Sequence, residues 1–433
     1  MGILRPNEKG WLNQYLTYRK GLILNPEQND LRERFKEVPD VDHFWYQSLQ
    51  PTGLMYGYPL HFANLPHPKA NTWNEWQKAR LLMAESYFSY GVFSVIAEEN
   101  WEEGQLNELT EELLNDLLSY YQAVFPKVLS LRYRQKAPVV DLAELVLNRR
   151  VNLKKGWRNF WNRFFHNSLL FFDLIYFSQW QQNQQKFTLL EISQKREQMQ
   201  GLILDLISAA AHADEEIHVE ERELFNHFFE SADLSPVRLQ AARKRFKEGV
   251  SLNDLPLSAD EPWIVRKYLL ELALLTVFSN QEIDPREWTF LEKLAARMGL
   301  DPSELPHSRV AVKGFVLHHW QDVHFLQSRD NYLILSDRYI RDLKSLVIRN
   351  QKLVVQEIHE SRELVTLLAK YTKEGLTEEE SERVRRQLLD ILKSVPALAL
   401  LMLPGSFLTL PILFRILPKE VFLPSSFLDD KEE

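Results

Sequence analysis

The stretch LISAAAHADEEIHVEERELFNHFFE, residues 206–230, aligns with LALLTVFSNQEIDPREWTFLEKLAA, residues 272–296, at a displacement of 66 residues. Each copy reads as an apolar helix, a polar corner, a Glu-Ile pair and an acidic start to a second helix. The corner positions match one to one: Asp214 with Asn280, Glu216 with Glu282, Ile217 with Ile283 and Glu221 with Glu287. Apolar residues at three- and four-residue spacing give each helix one face to bury. In the second copy Asp284 stands where an acid caps the orphan N–H groups of a helix start. Pro285 follows in the first turn, where its missing N–H costs nothing. The isoleucine then plugs the corner, and each copy becomes a helical hairpin.

Outward from this repeat the same reading extends to the whole chain. Glycine is scarce, with 14 residues, and neither Asn-Gly nor Asp-Gly, the strongest hairpin signals, occurs. The expected fold class is all-α, in several helical domains. At 433 residues the chain is long enough for two or three domains, each with a real core. A charged fraction of 26 % beside a hydrophobic fraction of 45 % is the balance of a globular protein rather than a polytopic membrane protein. The net charge of −8 supplies no global positive field for nucleic acid, so DNA is not an expected partner. With no cysteine, disulfides, thiolate metal sites and a cysteine nucleophile are excluded. The opening MGILRPNEKGWLNQYL lacks an apolar core of signal-peptide length. The Met1-Gly2 start is not read as a myristoylation signal, because Pro6 and Asn7 stand where Ser or Thr is required.

Three regions follow. Residues 1–188 form an aromatic-rich helical domain, holding eight of the 11 tryptophans. Its segment 51–73 reads as a loop punctuated by Gly and Pro, followed by helices over 74–98, 106–131, 139–147 and 153–181. The last of these is apolar on nearly every face, so it is buried, faces a partner or faces lipid. Arg158, Arg163, His166 and Asp173 argue against lipid. Residues 189–310 hold the repeat. Residues 311–433 contain a long helical pattern over 337–371 and then a second helix opened by the capping-box pair Thr377 and Glu380.

The repeat resembles the TerB-like domain of tellurite-resistance and related stress proteins, in which the corner reads Asp-Gly-x-Ile-x-x-x-Glu twice. That resemblance implies a small all-helical fold and a cation at the clustered acids. Asp214, Glu216, Glu221, Glu282, Asp284 and Glu287 would supply some of the roughly six to eight oxygens that a Ca²⁺ ion takes, if the two corners meet. Two departures stand out: Glu215 and Gln281 replace both corner glycines, and Asn280 replaces the second leading aspartate. Helix capping is the competing role for the same acids. An EF-hand reading of 214–225 fails, since Val219 stands at the glycine position and Phe225 at the bidentate Glu position.

Residues 316–427 are similar to the LETM family, the leucine-zipper/EF-hand transmembrane proteins. The likeness rests on a Ser-Arg-x-Leu helix, a Leu-Thr before a charged helix ending Arg-Arg-Gln-Leu, and a Val-Pro opening a proline-punctuated apolar run. Its marks here are Pro396, Pro404, Gly405, Pro411, Pro418 and the closing Leu423, Pro424, Ser425 and Phe427. With the TerB-like middle, the layout most resembles bacterial LETM-related biofilm-associated proteins. This implies a protein linked to cation homeostasis or biofilm behaviour on the cytoplasmic side of the bacterial inner membrane, or else one in the cytoplasm. The expected partners are membrane lipid or a second copy through the apolar segment, with the ribosome as a further one. Residues 394–414 form an uncharged run of 21 residues, about 31 Å as a helix and enough to cross a bilayer core. Against this, Pro404-Gly405 and Pro411 break the helical ladder and free backbone groups that lipid cannot satisfy.

No nucleophile elbow, Walker loop, dinucleotide fingerprint or His-Glu-x-x-His motif occurs. His318, His319 and His324 lack the spacing that puts two imidazoles on one helix face. The expectation is a protein that is not an enzyme, takes no small-molecule substrate, and carries at most a divalent cation at the repeat corners.

Overall fold

A computed structural model describes residues 4–25, 38–55, 67, 72–93, 102–125, 137–151, 160–182, 188–214, 217, 219–232, 234–278, 283–318, 329–395, 398, 408–418 and 421. Among these residues every regular element is a helix and no strand forms, so the fold is all-α. The helices gather into two units, residues 1–290 and 291–433.

Unit 1 contains α1 (Trp11–Leu24), α2 (Val41–Leu49), α3 (Glu75–Phe93), α4 (Glu103–Val124), α5 (Val139–Arg150), α6 (Phe160–Gln182), α7 (Leu189–Ala210), α8 (Val219–Ser231), α9 (Pro236–Glu248) and α10 (Trp263–Val277). Short 3₁₀ turns at Gln50–Thr52 and Leu252–Asp254 join them, and α11 (Pro285–Arg297) carries the division between the units. The aromatic helix α6 is the hub: it packs on α3, α4, α7 and α8. From Leu170 to Trp180 its side chains are buried all round, which answers why its sequence shows no polar face. Phe177 alone meets Tyr87, Tyr120 and Trp180 at ring-centroid distances of 4.9, 5.6 and 6.1 Å. Residues on both sides of 188 share this unit: α7 also packs on α4, and α10 packs on α2. There the Tyr46 hydroxyl donates to Glu271, and Asp42 accepts the Ile264 N–H at 3.3 Å.

Local signals start several helices. Thr188 opens α7 with a capping box, its hydroxyl accepting the Glu191 N–H at 3.3 Å while Glu191 accepts the Thr188 N–H at 2.7 Å. α1 lacks such a signal, because its N-cap is Gly10. Its orphan donors go to Glu144 of α5 instead, which accepts from Gly10 and Leu12, each at 2.9 Å.

Unit 2 contains α12 (Glu304–His318), α13 (Arg329–Arg349), α14 (Gln351–Glu360), α15 (Arg362–Lys373), α16 (Glu378–Ser394) and α17 (Leu410–Ile416). α12 packs on α13, and Asp342 ties them through Arg309 at 2.9 Å and Lys313 at 2.7 Å. α14, α15 and α16 pack on one another, with Val354, Ile358, Leu364, Leu368, Val384, Leu388 and Leu392 buried between them. Thr377 and Glu380 form the expected capping box at α16.

The single long helix expected over 337–371 is three helices. α13 stops at Asn350, whose side-chain amide donates to the Leu346 carbonyl at 2.9 Å. Ser361 then ends α14 and caps α15 through the Leu364 N–H. Asn and Ser compete for backbone partners, and here they win over the apolar period that runs through them. A second correction concerns Pro411. It does not interrupt a helix but sits in the first turn of α17, where no intrahelical N–H is lost. Pro418 lies just past the end of that helix.

Candidate functional site

The repeat leaves open whether its two corners meet, and the structure places parts of them in contact. α7 leads into the first corner and α10 into the second; α7 packs on α10, and α8 packs on both. From the second corner Arg286 reaches back and donates to the Asp214 carbonyl at 3.1 Å. Arg286 was invisible as a site residue in the sequence, because it matters only through a partner 72 positions away.

The described acids divide by task. Asp284 is the cap of α11: its carbonyl accepts the Trp288 N–H at 2.9 Å and its carboxylate accepts the Arg286 N–H at 2.7 Å. Glu287 reaches back to the Asp284 N–H at 2.6 Å. Asp284 thus caps α11 through the N2 amide, and Glu287 satisfies the cap residue's own N–H. Glu287 is wholly buried, and so is its repeat equivalent Glu221, whereas Asp284 is exposed and Asp214 half-buried. The inward position of the two equivalent glutamates is the repeat's clearest structural mark. Ile217 and Ile283 are both half-buried at their corners.

Glu216, Glu282 and Asn280 lie outside the described residues. Among the described residues no group of three or more His, Asp or Glu side chains converges to hold a metal ion. What Asp284 and Glu287 visibly do is hold the start of α11.

Below the first corner, His212 Nδ1 donates to the Ser208 carbonyl at 2.7 Å, and its ring meets the edge of Phe246. Phe246 stacks on Phe225 at 3.9 Å. Gly249 lies beside His212, where a Cβ would make ordinary van der Waals contact with its ring at 3.4 Å.

Of the C-terminal motif, Pro411 and Pro418 are described, while Pro396, Pro404, Gly405, Leu423, Pro424, Ser425 and Phe427 lie outside the described residues. So do His319, His324 and the side chain of His318. α17 packs on α13 and α16, with Leu413 and Ile416 fully buried and Leu417 nearly so. Its Phe414 ring lies 4.4 Å from that of Tyr371 on α15, and Arg415 lies 3.6 Å from Asp337 on α13. Leu398, just after α16, and Leu408, just before α17, are both buried. Among the described residues no helix is long and apolar enough to cross a membrane. No family model, curated protein or solved structure matches this chain.

Proposed function

We propose that this chain is a non-enzymatic helical interaction protein held at a membrane surface, with its C-terminal apolar segment folded inward to close unit 2. The observation that supports this reading most is the seat of α17 on α13 and α16. A helix crossing a bilayer core needs about 20 residues to cover about 30 Å. Leu398 and Leu408 are both buried in unit 2, so each end of the chain between them is anchored in this unit. Fully extended, it has a contour of about 35 Å and reaches about 17 Å out and back. That is too short for a crossing.

The LETM-like resemblance extends the proposal to cation homeostasis or biofilm behaviour at the cytoplasmic face of a bacterial inner membrane. Ribosome association is the other role it implies. In this reading the TerB-like corners fix the angle between paired helices, as Asp284, Glu287 and Arg286 do in the second copy.

Cell fractionation tests the reading. The intact chain is expected in the membrane pellet and is expected to leave it in high salt or alkaline carbonate without detergent. A chain extracted only by detergent would show that the apolar segment is inserted. A chain wholly in the supernatant at low salt would remove the membrane from the proposal.

A further inference from the structure

α13 turns its buried side toward α12, α14 and α17 and leaves one face in solvent. On that face Leu333, Ile334 and Ile348 are 52 %, 49 % and 45 % exposed. Among them stand the exposed cations Arg341, Lys344 and Arg349. Ile334, Arg341 and Ile348 recur every seven residues; a straight helix drifts about 20° per heptad, so the three fall within about 40° of arc. From Leu333 to Arg349 the stripe runs about 24 Å along the helix.

The stripe carries three cations and one acid. Its acid, Asp337, is offset by Arg415 of α17 at 3.6 Å. Asp342 lies toward α12 and is taken by Arg309 and Lys313. Among the described residues Arg341, Lys344 and Arg349 join no ion pair.

Interleaved aliphatic and basic side chains identify the occupant. A nucleic-acid backbone would use the three cations but has no place for Leu333, Ile334 and Ile348, and single strands are gripped by aromatic rings. An anionic bilayer uses both: the cations lie among the headgroups, and the aliphatic chains enter the boundary with the acyl region. We infer that the outward face of α13 is a docking surface for an anionic lipid bilayer. The inference rests on the membrane-surface reading above and assigns the contact to α13 in place of the C-terminal apolar run.

The test is co-sedimentation of the full chain with phosphatidylcholine vesicles, with and without phosphatidylglycerol as a third of the lipid, across a salt series. Wild type is expected to bind the anionic vesicles, weakly or not at all the neutral ones, and to lose binding as salt rises. Each basic group near such a surface contributes about a factor of five, so R341Q/K344Q/R349Q is expected to lose about a hundredfold. I334S/I348S is expected to lose roughly tenfold. All five positions are exposed, and helical circular dichroism checks that both variants keep the fold. Equal binding by wild type and the triple variant would overturn the docking face while leaving membrane association standing. Absence of wild-type binding would overturn the docking face, and whether the membrane reading survives is then read from fractionation. Salt-sensitive binding to single-stranded RNA with none to vesicles would replace lipid as the occupant.

Discussion

Asp173 is a buried charge that ties four helices of unit 1 together, and Asp173→Asn tests it. The carboxylate is wholly buried on α6. Arg150 of α5 grips it with two donors, Nε to Oδ2 and Nη2 to Oδ1, the latter at 3.1 Å. Arg196 of α7 lies 3.7 Å from Oδ1, and the Tyr121 hydroxyl of α4 donates to Oδ2 at 3.1 Å. Both guanidinium groups cover the Phe125 ring, at 4.2 and 4.6 Å. Burial alone would push Arg150 toward neutrality; the charge and hydrogen bonds of Asp173 overcome it and hold the guanidinium more strongly protonated than usual. Asparagine keeps the shape but removes the anion, leaving a buried cation, Arg196, and a half-buried one, Arg150, facing one ring. Breaking a buried pair from one side costs about 3–5 kcal/mol, a large share of a typical total of about 5–15 kcal/mol. At a few degrees per kcal/mol the melting temperature should fall by about 10 °C. Thermal and urea unfolding followed by far-ultraviolet circular dichroism measure it. The double variant R150M/D173L should cost less than D173N, because it leaves one stranded cation, Arg196, instead of two. A loss below about 1 kcal/mol for D173N, or a double variant worse than the single, would refute the argument.

Leu413→Ala should cost about 2–5 kcal/mol, because its side chain is fully buried where α17 meets the bundle. Hydrogen exchange should then accelerate in α13 and α16 but not in α6; unchanged protection in all three would mean that α17 is not core. Gly249→Ala should destabilise unit 1 by about 1–3 kcal/mol, since φ 83° with ψ 151° is a conformation that only glycine adopts without strain. An unaltered melting temperature would contradict this. At alkaline pH, burial first and neighbouring charge second hold Tyr87, Tyr120 and Tyr121 well above the ordinary phenol range, and Tyr90 is pushed up to about 12. Raised folded values contribute stability that is fully present below about pH 10 and is lost as pH rises beyond it. Phenolate absorbance from these side chains should therefore appear together with loss of helix. Titration of all 15 tyrosines as one class near pH 10, with helix intact, would oppose it.

Much of the architecture was legible because its causes are local. Apolar spacing marked the helices, and Thr188 with Glu191 and Thr377 with Glu380 marked two of their starts. The same local reading erred where a short polar residue overrode the period. Asn350 and Ser361 each hydrogen-bond the backbone at a break that hydrophobicity alone does not register. It erred again at Pro411, where the proline that looked like an interruption is a beginning. The candidate site was half visible. The repeat marked the acids and required the corners to be equivalent, but Arg286 could not be chosen until Asp214 was seen beside it.

The sequence by itself determined the helical class, the equivalence of the two repeat corners and the inward-facing stripes, since all three follow from spacing within a few turns of chain. The tertiary structure decided which charges pair and where the apolar end goes. Glu144 caps a helix more than a hundred residues away, and Asp173 collects partners from three other helices. α17 packs onto α13 and α16, and there Leu413 and Ile416 leave water. Such choices depend on which surfaces meet in space, and no local pattern carries that information.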